Sequence, residues 1–335
     1  MKIVKSLAEL NVEEKSFPIF FWESWLKLQG SNNFNSHLFF DDVFEIVIPF
    51  VIYNLRFLNK ANYIYKPLKL DGTELNIEEE KNAIDTFHSF LKKSKICDVI
   101  FPPQHICNFK SIPTKVKYFS LGIIKLDISQ DESMLLKNMR PNYRNEIKKA
   151  INSEIFYDFN LDYLDAFYSL YHETQIRQNL TYFEKTHFIE YSKRLSSNSL
   201  FGVAKTGNKL ESGVFIYFDK HFAYYDSASN AKDSLYSGLN KALLFLAILH
   251  LKNLEVKCFI LGGYRNPKRT DAKHNGIQNF KLRFGSYIED GYHFIKVINP
   301  LKYHLFMLAL KLKSIITGRD LGFINKSGLE FKKSK

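Results

Sequence analysis

Residues 200–227 read LFGVAKTGNKLESGVFIYFDKHFAYYDS. Three runs rich in apolar and aromatic residues, 200–205, 211–218 and 221–227, are separated by Gly207-Asn208 and Asp219-Lys220. Such dipeptides tolerate the positive φ of tight hairpin turns, so the stretch predicts an antiparallel meander. Residues 239–251, LNKALLFLAILHL, follow it. They offer no polar face wide enough for a surface helix and predict one packed on the sheet. Residues 257–261 predict a central strand that ends at Gly262-Gly263.

The pattern extends in both directions. Asp131 suits the cap of a short helix through Lys137, and Pro141 suits the first turn of a helix over 142–151. Residues 155–159 predict a strand, and 162–178 an amphipathic helix with Leu164, Phe167, Tyr168 and Tyr171 on one face. A further helix is predicted over 186–195, a short one over 278–283 before Gly285, and a closing strand over 287–298. Nearer the start, 16–30 (SFPIFFWESWLKLQG) reads as a turn into a short aromatic helix. Residues 44–51 read as a strand that Pro49 confines to an edge or a bulge. Residues 78–92 predict a helix with Ile84, Phe87 and Leu91 facing inward, and 98–101 and 117–127 predict strands.

The chain has 335 residues, enough for one large or two ordinary domains. Three cysteines, Cys97, Cys107 and Cys258, with no C-x-x-C exclude a disulfide scaffold and a Cys-rich zinc site, and fit a reducing cytoplasm. No H-E-x-x-H or G-x-S-x-G occurs, and no metal site is expected. Residues 202–209, GVAKTGNK, mimic a P-loop, but Asn208 stands where the lysine belongs and the context is a hairpin. No apolar run approaches the roughly 20 residues of a spanning helix. Lys and Arg total 47 against 35 Asp and Glu, a net charge of +12. That balance favours anionic partners, namely RNA, phosphorylated substrates or an anionic membrane surface, although a generally basic proteome gives the same bias.

Several segments carry a family likeness. Residues 139–150 read MRPNYRNEIKKA, 177–183 RQNLTYF, 258–263 CFILGG and 279–286 NFKLRFGS. Together with the element order they resemble the FemAB family of peptidoglycan-bridge aminoacyltransferases and its relatives in the GNAT superfamily. The strand-LGG, loop, F-K-x-x-F-G signature is the most diagnostic part, and the likeness covers about residues 126–298. It implies an α/β (α+β) fold of two tandem GNAT-like domains, with mixed, mostly antiparallel sheets flanked by helices. The expected division is a degenerate domain over 1–125, an acyltransferase domain over 126–300 and a basic helical tail over 301–335.

The likeness implies amide formation on an amino group of a cell-envelope precursor, either an amino sugar or a peptidoglycan or polysaccharide intermediate. The donor is an acyl thioester, an acyl carrier or an aminoacyl-tRNA, and no tightly bound cofactor is expected. A related alternative is an aminoacyl-tRNA-dependent transferase acting on a lipid-linked peptidoglycan precursor. From another class, a non-catalytic basic protein would bind nucleic acid or membrane. A GNAT that uses coenzyme A usually carries Q/R-x-x-G-x-G/A before the central helix, whose amides cradle the pyrophosphate. Here 229–240 read SNAKDSLYSGLN, with one glycine and no such pattern, which argues against coenzyme A.

In the family the lysine of F-K-x-x-F-G lies at the reacting carbonyl, which makes Lys281 the candidate for oxyanion stabilisation. Phe280 either lines the donor channel or is core. Gly262 and Gly263 allow a sharp turn and close approach to a ligand, or simply a structural turn. Asp226 could accept the amine proton, although a hydrogen-bonded turn aspartate is the commoner case. Arg140, Arg144 and Lys148 recur every four residues and could grip a phosphate. All three share one side only if the helix continues through Pro141. The family likeness places Arg177 and Tyr182 at the acceptor border. Arg265 opens the basic loop YRNPKRTDAK over 264–273, with Lys268, Arg269 and Lys273.

The end of the chain adds a second theme. Leu301, Leu305, Leu308, Leu312 and Ile315 share a helical face. From 301 onward eight basic residues face two acidic ones, half of the chain's net charge. An apolar face flanked by lysines suits the inner surface of an anionic membrane, where a lipid-linked acceptor would lie. The alternative is a helix packed back on the protein.

Overall fold

The computed structural model describes residues 1–29, 34–55, 57–178, 182–234, 238–266, 270, 272–317 and 332–334. In chain order the strands of the first half are β1 (Lys2–Val4), β2 (Phe34–Asp41), β3 (Ile46–Leu55), β4 (Leu58–Tyr63), β5 (Leu68–Lys69), β6 (Val99–Phe101), β7 (Lys117–Ser120) and β8 (Gly122–Asp127). The remaining strands are β9 (Phe156–Asp158), β10 (Ser199–Thr206), β11 (Lys209–Phe218), β12 (Phe222–Asn230), β13 (Cys258–Tyr264), β14 (Tyr287–Glu289), β15 (Tyr292–Val297) and β16 (Lys332–Lys333). The helices are α1 (Glu23–Gln29), α2 (Ile77–Lys93), α3 (Glu132–Asn138), α4 (Pro141–Ile151), α5 (Leu164–Arg177), α6 (Lys185–Arg194), α7 (Leu239–Asn253), α8 (Ala272–Leu282) and α9 (Pro300–Thr317).

The chain forms two compact units, each with helices on a mixed sheet, as the α+β expectation requires. The first comprises Met1–Ile123, Gly262–Gln278 and Ile288–Lys335, and the second Ile124–Leu261 and Asn279–Tyr287. This differs from the expected simple division, because segments of 126–300 and the tail return to the first unit. The cause lies in β15. It inserts between β6 and β7 of the first sheet, whose order is β1-β2-β3-β4-β6-β15-β7-β16. Successive residues of β15 supply both faces of that sheet. Phe294 joins the core with Phe50, Ile84 and Phe87, and Ile295 joins Leu58, Val99 and Tyr303 on the other.

Helix α2 covers the first of these faces. Asn76 caps it by accepting from the Glu78 and Glu79 amides, and the Glu79 carboxylate accepts in turn from the Asn76 amide. Such a cap contributes about 1 kcal/mol. Ile84, Phe87 and Leu91 point inward, as their spacing predicts. Helix α9 lies on the second face through Tyr303, Phe306 and Met307.

Pro49 departs from expectation. β3 is not an edge strand but runs between β2 and β4. The amide proton that proline lacks would point to the same side as its carbonyl, which accepts from Ile64 N just beyond the end of β4. The bond that proline forgoes is the reciprocal one to the Ile64 carbonyl, beyond the last paired residue of β4, and the β2 side loses nothing.

In the second unit β10, β11 and β12 form the predicted antiparallel meander, with β9 beside β10. β13 runs parallel to β12 and lies between it and β8. α5 and α6 cover one face: Phe167 stacks edge-on with Phe201 at 4.9 Å, and Phe188 meets Phe215 at 6.3 Å. α7 covers the other face, with Leu243 against Gly202 and eight of its residues buried. Each fully buried leucine or phenylalanine contributes roughly 1.5–3 kcal/mol by leaving water.

Several boundaries shift: the strand expected over 44–51 is Ile46–Leu55, that expected over 117–127 is β7 and β8, and the helix expected over 278–283 begins at Ala272. β13 does not stop at Leu261 but continues through Gly262 and Gly263 to Tyr264. The predicted closing strand is two strands, β14 and β15, divided at Asp290-Gly291.

Candidate active site

The segment 279–286 spends most of its residues holding Lys281 in place. Phe284 is fully buried and stands edge-on to Tyr143, with ring centroids 5.4 Å apart. Phe280 is tilted against Tyr143 at 6.0 Å and edge-on to Phe284 at 5.4 Å. Its place is thus in an aromatic cluster between α8 and α4. Gly285 adopts φ +84°, and a Cβ there would stand 2.9 Å from the Asn138 carbonyl oxygen. Only glycine fits, and it ends the helix in the left-handed conformation. The Ser286 hydroxyl donates to the Lys281 carbonyl at 3.1 Å, and the Phe284 amide reaches the same oxygen at 3.3 Å.

The Lys281 ammonium lies 5.5 Å from the centroid of the Tyr225 ring. Part of the residue reaches solvent. Its amine end is nevertheless crowded by protein, and desolvation lowers its pKa to about 8. The crowding at the amine governs the charge, because that is where the charge resides. Among the described residues no carboxylate forms an ion pair with it. At neutral pH such a group remains largely cationic without a fixed counter-charge, which suits it to meet a developing oxyanion.

Asp226 occupies an irregularity of β12. Ser227 pairs with Phe215 and Tyr225 with Ile216, so Asp226 is the extra residue of a β-bulge. It is exposed as a residue. Protein atoms around the carboxyl still leave it poorly hydrated, and desolvation raises its pKa to about 6, with the nearby Ser227 and Tyr191 hydroxyls pulling the other way. The exposure leaves water access to the group. Tyr191 of α6 is buried, and burial, followed by the Asp226 charge, pushes its phenol pKa well up. Desolvation alone moves Lys281, so the two candidate groups do not act as an ion pair.

The three cations near α4 separate. The helix starts at Pro141, leaving Arg140 as its N-cap. Arg144 Nη1 donates to the Lys137 carbonyl at 3.1 Å and so caps the end of α3, whereas Lys148 is exposed. Arg177 ends α5 and donates to the Asn230 carbonyl of β12 at 3.3 Å. Tyr182 is 41% exposed and edge-on to His172. Residues 179–181 between them lie outside the described residues.

Gly262, Gly263 and Arg265 belong to the first unit. Gly262 has φ +105°, and a Cβ on Gly263 would meet His105 at 2.8 Å. The close approach expected there is made by a histidine. The Arg265 amide donates to Gln278 Oε1 at 2.5 Å, and Gln278 Nε2 returns a bond to the Arg265 carbonyl at 3.1 Å. This buried glutamine fixes the start of the basic loop. Lys268 and Arg269 lie outside the described residues. A cleft of about 720 Å³ in this unit is lined by Lys110, Ser120, Tyr264, Asn266, Asp290 and Tyr292, among others.

The start of α7 carries a charged pair. Glu146 of α4 forms an ion pair with Lys241 in the first turn of α7. The Lys241 ammonium also lies 4.6 Å over the Tyr143 ring. A carboxylate thus stands by the start of α7. Residues 235–237, just before α7, lie outside the described residues. Sequence reasoning missed Tyr225, Tyr191 and Glu146. The doublet Tyr225-Asp226 was visible, but nothing in the pattern marked the bulge.

No family model matches this sequence, and no curated protein sequence does. Solved structures do resemble it. FemX matches with a TM-score of 0.69 at 12% identity, covering 91% of this chain and 99% of that one. L-PGS from Bacillus licheniformis matches with a TM-score of 0.52 at 12% identity, covering 88% and 92%. The C-terminal domain of an Agrobacterium fabrum protein described as a lysylphosphatidylglycerol synthetase gives 0.53 at 12%, covering 83% and 88%. The chain therefore has the fold of FemX along nearly its whole length.

Proposed function

We propose that this chain is a FemAB-like N-acyltransferase that forms an amide on an amino group of a cell-envelope precursor. The observation that carries the reading is Lys281, a desolvated cation with no carboxylate partner among the described residues, fixed by the F-K-x-x-F-G segment in a FemX-type fold. In the reaction the neutral amine attacks the donor carbonyl, and a C–N bond forms. The Lys281 ammonium meets the resulting oxyanion. Collapse breaks the bond from carbon to the donor oxygen or sulfur. The Asp226 carboxylate, directly or through water, takes the amine proton and passes it to the leaving group.

Among donors, an aminoacyl-tRNA or a carrier-bound acyl group is favoured over coenzyme A. Support comes from the Glu146–Lys241 pair at the start of α7 and the missing glycine pattern. A lipid-linked peptidoglycan precursor is the second acceptor reading, alongside an amino sugar. The FemX and L-PGS folds favour it. On this reading the chain works in the cytoplasm, peripheral to the inner face of the membrane.

The test is amide formation from aminoacyl-tRNA and from acyl thioesters, with amino-sugar nucleotides and lipid-linked precursors as acceptors. Folded Lys281→Ala should lose about 10²–10³ in kcat. RNase should abolish only transfer that uses tRNA. Undiminished turnover in Lys281→Ala would remove the lysine from the chemistry, and no transfer from any donor would favour a non-catalytic basic protein.

A further inference from the structure

Helix α9 is apolar on two sides. Tyr303, Phe306 and Met307 seat it on the first unit's sheet. On the opposite side Leu301 is 71% exposed, Leu305 57%, Leu308 54%, Leu312 52%, Ile315 70% and Ile316 82%. At roughly 100° per residue these six positions fall within an arc of about 100°. Scattered single leucines on a surface need no explanation, but a continuous stripe of six does.

The borders of the stripe are cationic. Lys302 and Lys313 flank it on one side, and Lys311 on the other. No aspartate or glutamate occurs in Pro300–Thr317. Lys302 also reaches Asp98 at 3.1 Å, which ties that border to the fold. Among the described residues no helix is long and apolar enough to cross a membrane. The arrangement instead matches a helix lying in the plane of an interface, with leucines among the acyl chains and lysines at the headgroups.

We propose that this outer face of α9 docks on an anionic lipid bilayer. The seat of α9 on the sheet makes the dock rigid, so the first unit as a whole is oriented on the surface. The charge pattern selects lipid over a second copy of this chain. An apolar stripe bordered by cations on both sides faces like charges in a symmetric dimer, whereas anionic headgroups neutralise both borders. The inference rests on α9 alone and stands if the catalytic reading falls.

The experiment is co-sedimentation of the full chain with vesicles of phosphatidylglycerol and phosphatidylcholine, and with phosphatidylcholine vesicles alone. Both substitutions in the double variant Leu305→Glu/Leu312→Glu lie at exposed positions, and circular dichroism checks its fold. Binding should require phosphatidylglycerol, weaken with salt and fall at least tenfold in the double variant. Lys311→Glu/Lys313→Glu should weaken it while leaving the apolar stripe intact. Equal pelleting of Leu305→Glu/Leu312→Glu overturns the proposal, as does absence of wild-type binding. A dimer that dissociates on the same substitutions, without vesicle binding, assigns the face to a second copy instead. Binding that appears only after deletion of 318–331 assigns it to that segment of the chain.

Discussion

The Lys281 ammonium faces the Tyr225 ring at 5.5 Å, and it does so on a helix end fixed by Phe284, Gly285 and Ser286. The ring's electron-rich face favours the cation by about 0.5–2 kcal/mol. Desolvation acts the other way, pushing the Lys281 pKa down to about 8. The ring opposes the shift that burial produces. Tyr225→Leu should move the alkaline limb of the pH–rate profile to lower pH, and Tyr225→Phe should leave it in place. Identical profiles for the leucine and phenylalanine variants would show that the ring does not act on the lysine.

The two candidate groups predict a bell-shaped profile. Asp226 must be ionised to accept a proton, so the rate climbs as pH rises through about 6. Lys281 must be charged to meet the oxyanion, so the rate declines as pH passes about 8. Asp226→Asn should remove the acid limb and lower kcat by about 10²–10⁴. An acid limb that persists in this variant would assign it to the substrate or to another group.

The same lysine should weaken the fold. Its pKa is depressed in the folded state, so folding disfavours the ammonium and stability is lowest below about pH 8. Stability then recovers as pH rises from about 8 towards 10.5. Lys281→Met keeps much of the volume and removes the charge. At pH 7 it should raise stability by up to about 3 kcal/mol while turnover is lost. The gap between variant and wild type in urea unfolding should narrow above pH 8. A less stable methionine variant would mean that the ammonium makes a favourable contact that outweighs its desolvation.

Much of the second unit was legible because its local signals agree. The turns at Gly207-Asn208 and Asp219-Lys220, the alternation of β10 to β12 and the all-apolar α7 point to one sheet with one covering helix. The first unit was less legible, because its sheet is completed by β15, some 170 residues downstream of β7. No local pattern encodes a partner that distant. Pro49 misled for a related reason, since its tolerance depends on where β4 stops. Lys281 could be found from its flanking motif, but Tyr225 and the Asp226 bulge depend on register. A one-residue insertion opposite Phe215 breaks the alternation at a single position, too little to read in a strand as short as β12.

Free coenzyme A should bind weakly or not at all. A pyrophosphate at the start of α7 would meet the Glu146 carboxylate, whose partner Lys241 is already engaged. Glu146→Gln alone should not create a tight site, because the glycine amides of a pyrophosphate loop are still lacking. Low-micromolar affinity of the wild type in a calorimetric titration would reverse this and promote an acyl-coenzyme A enzyme.

Gly285 links the fold to the chemistry most directly. It is left-handed at φ +84°, and alanine there would bring a Cβ within 2.9 Å of the Asn138 carbonyl oxygen. The Asn138 Cβ stands equally close and its carbonyl carbon at 3.0 Å, none of them the far end of a flexible side chain, so the turn must move. Strain and crowding together should lower stability by about 1–3 kcal/mol. Displacing the turn also shifts Ser286, whose hydroxyl holds the Lys281 carbonyl. A misplacement of about 1 Å at a catalytic group can lower a rate a hundredfold. Gly285→Ala should therefore reduce kcat by at least about tenfold with little change in KM, at a temperature where the variant is fully folded. Ser286→Ala, which removes one hydrogen bond and no space, should have a smaller effect on both rate and stability. Wild-type kcat in Gly285→Ala would mean that the lysine is placed by α8 alone and that the turn serves only to end the helix.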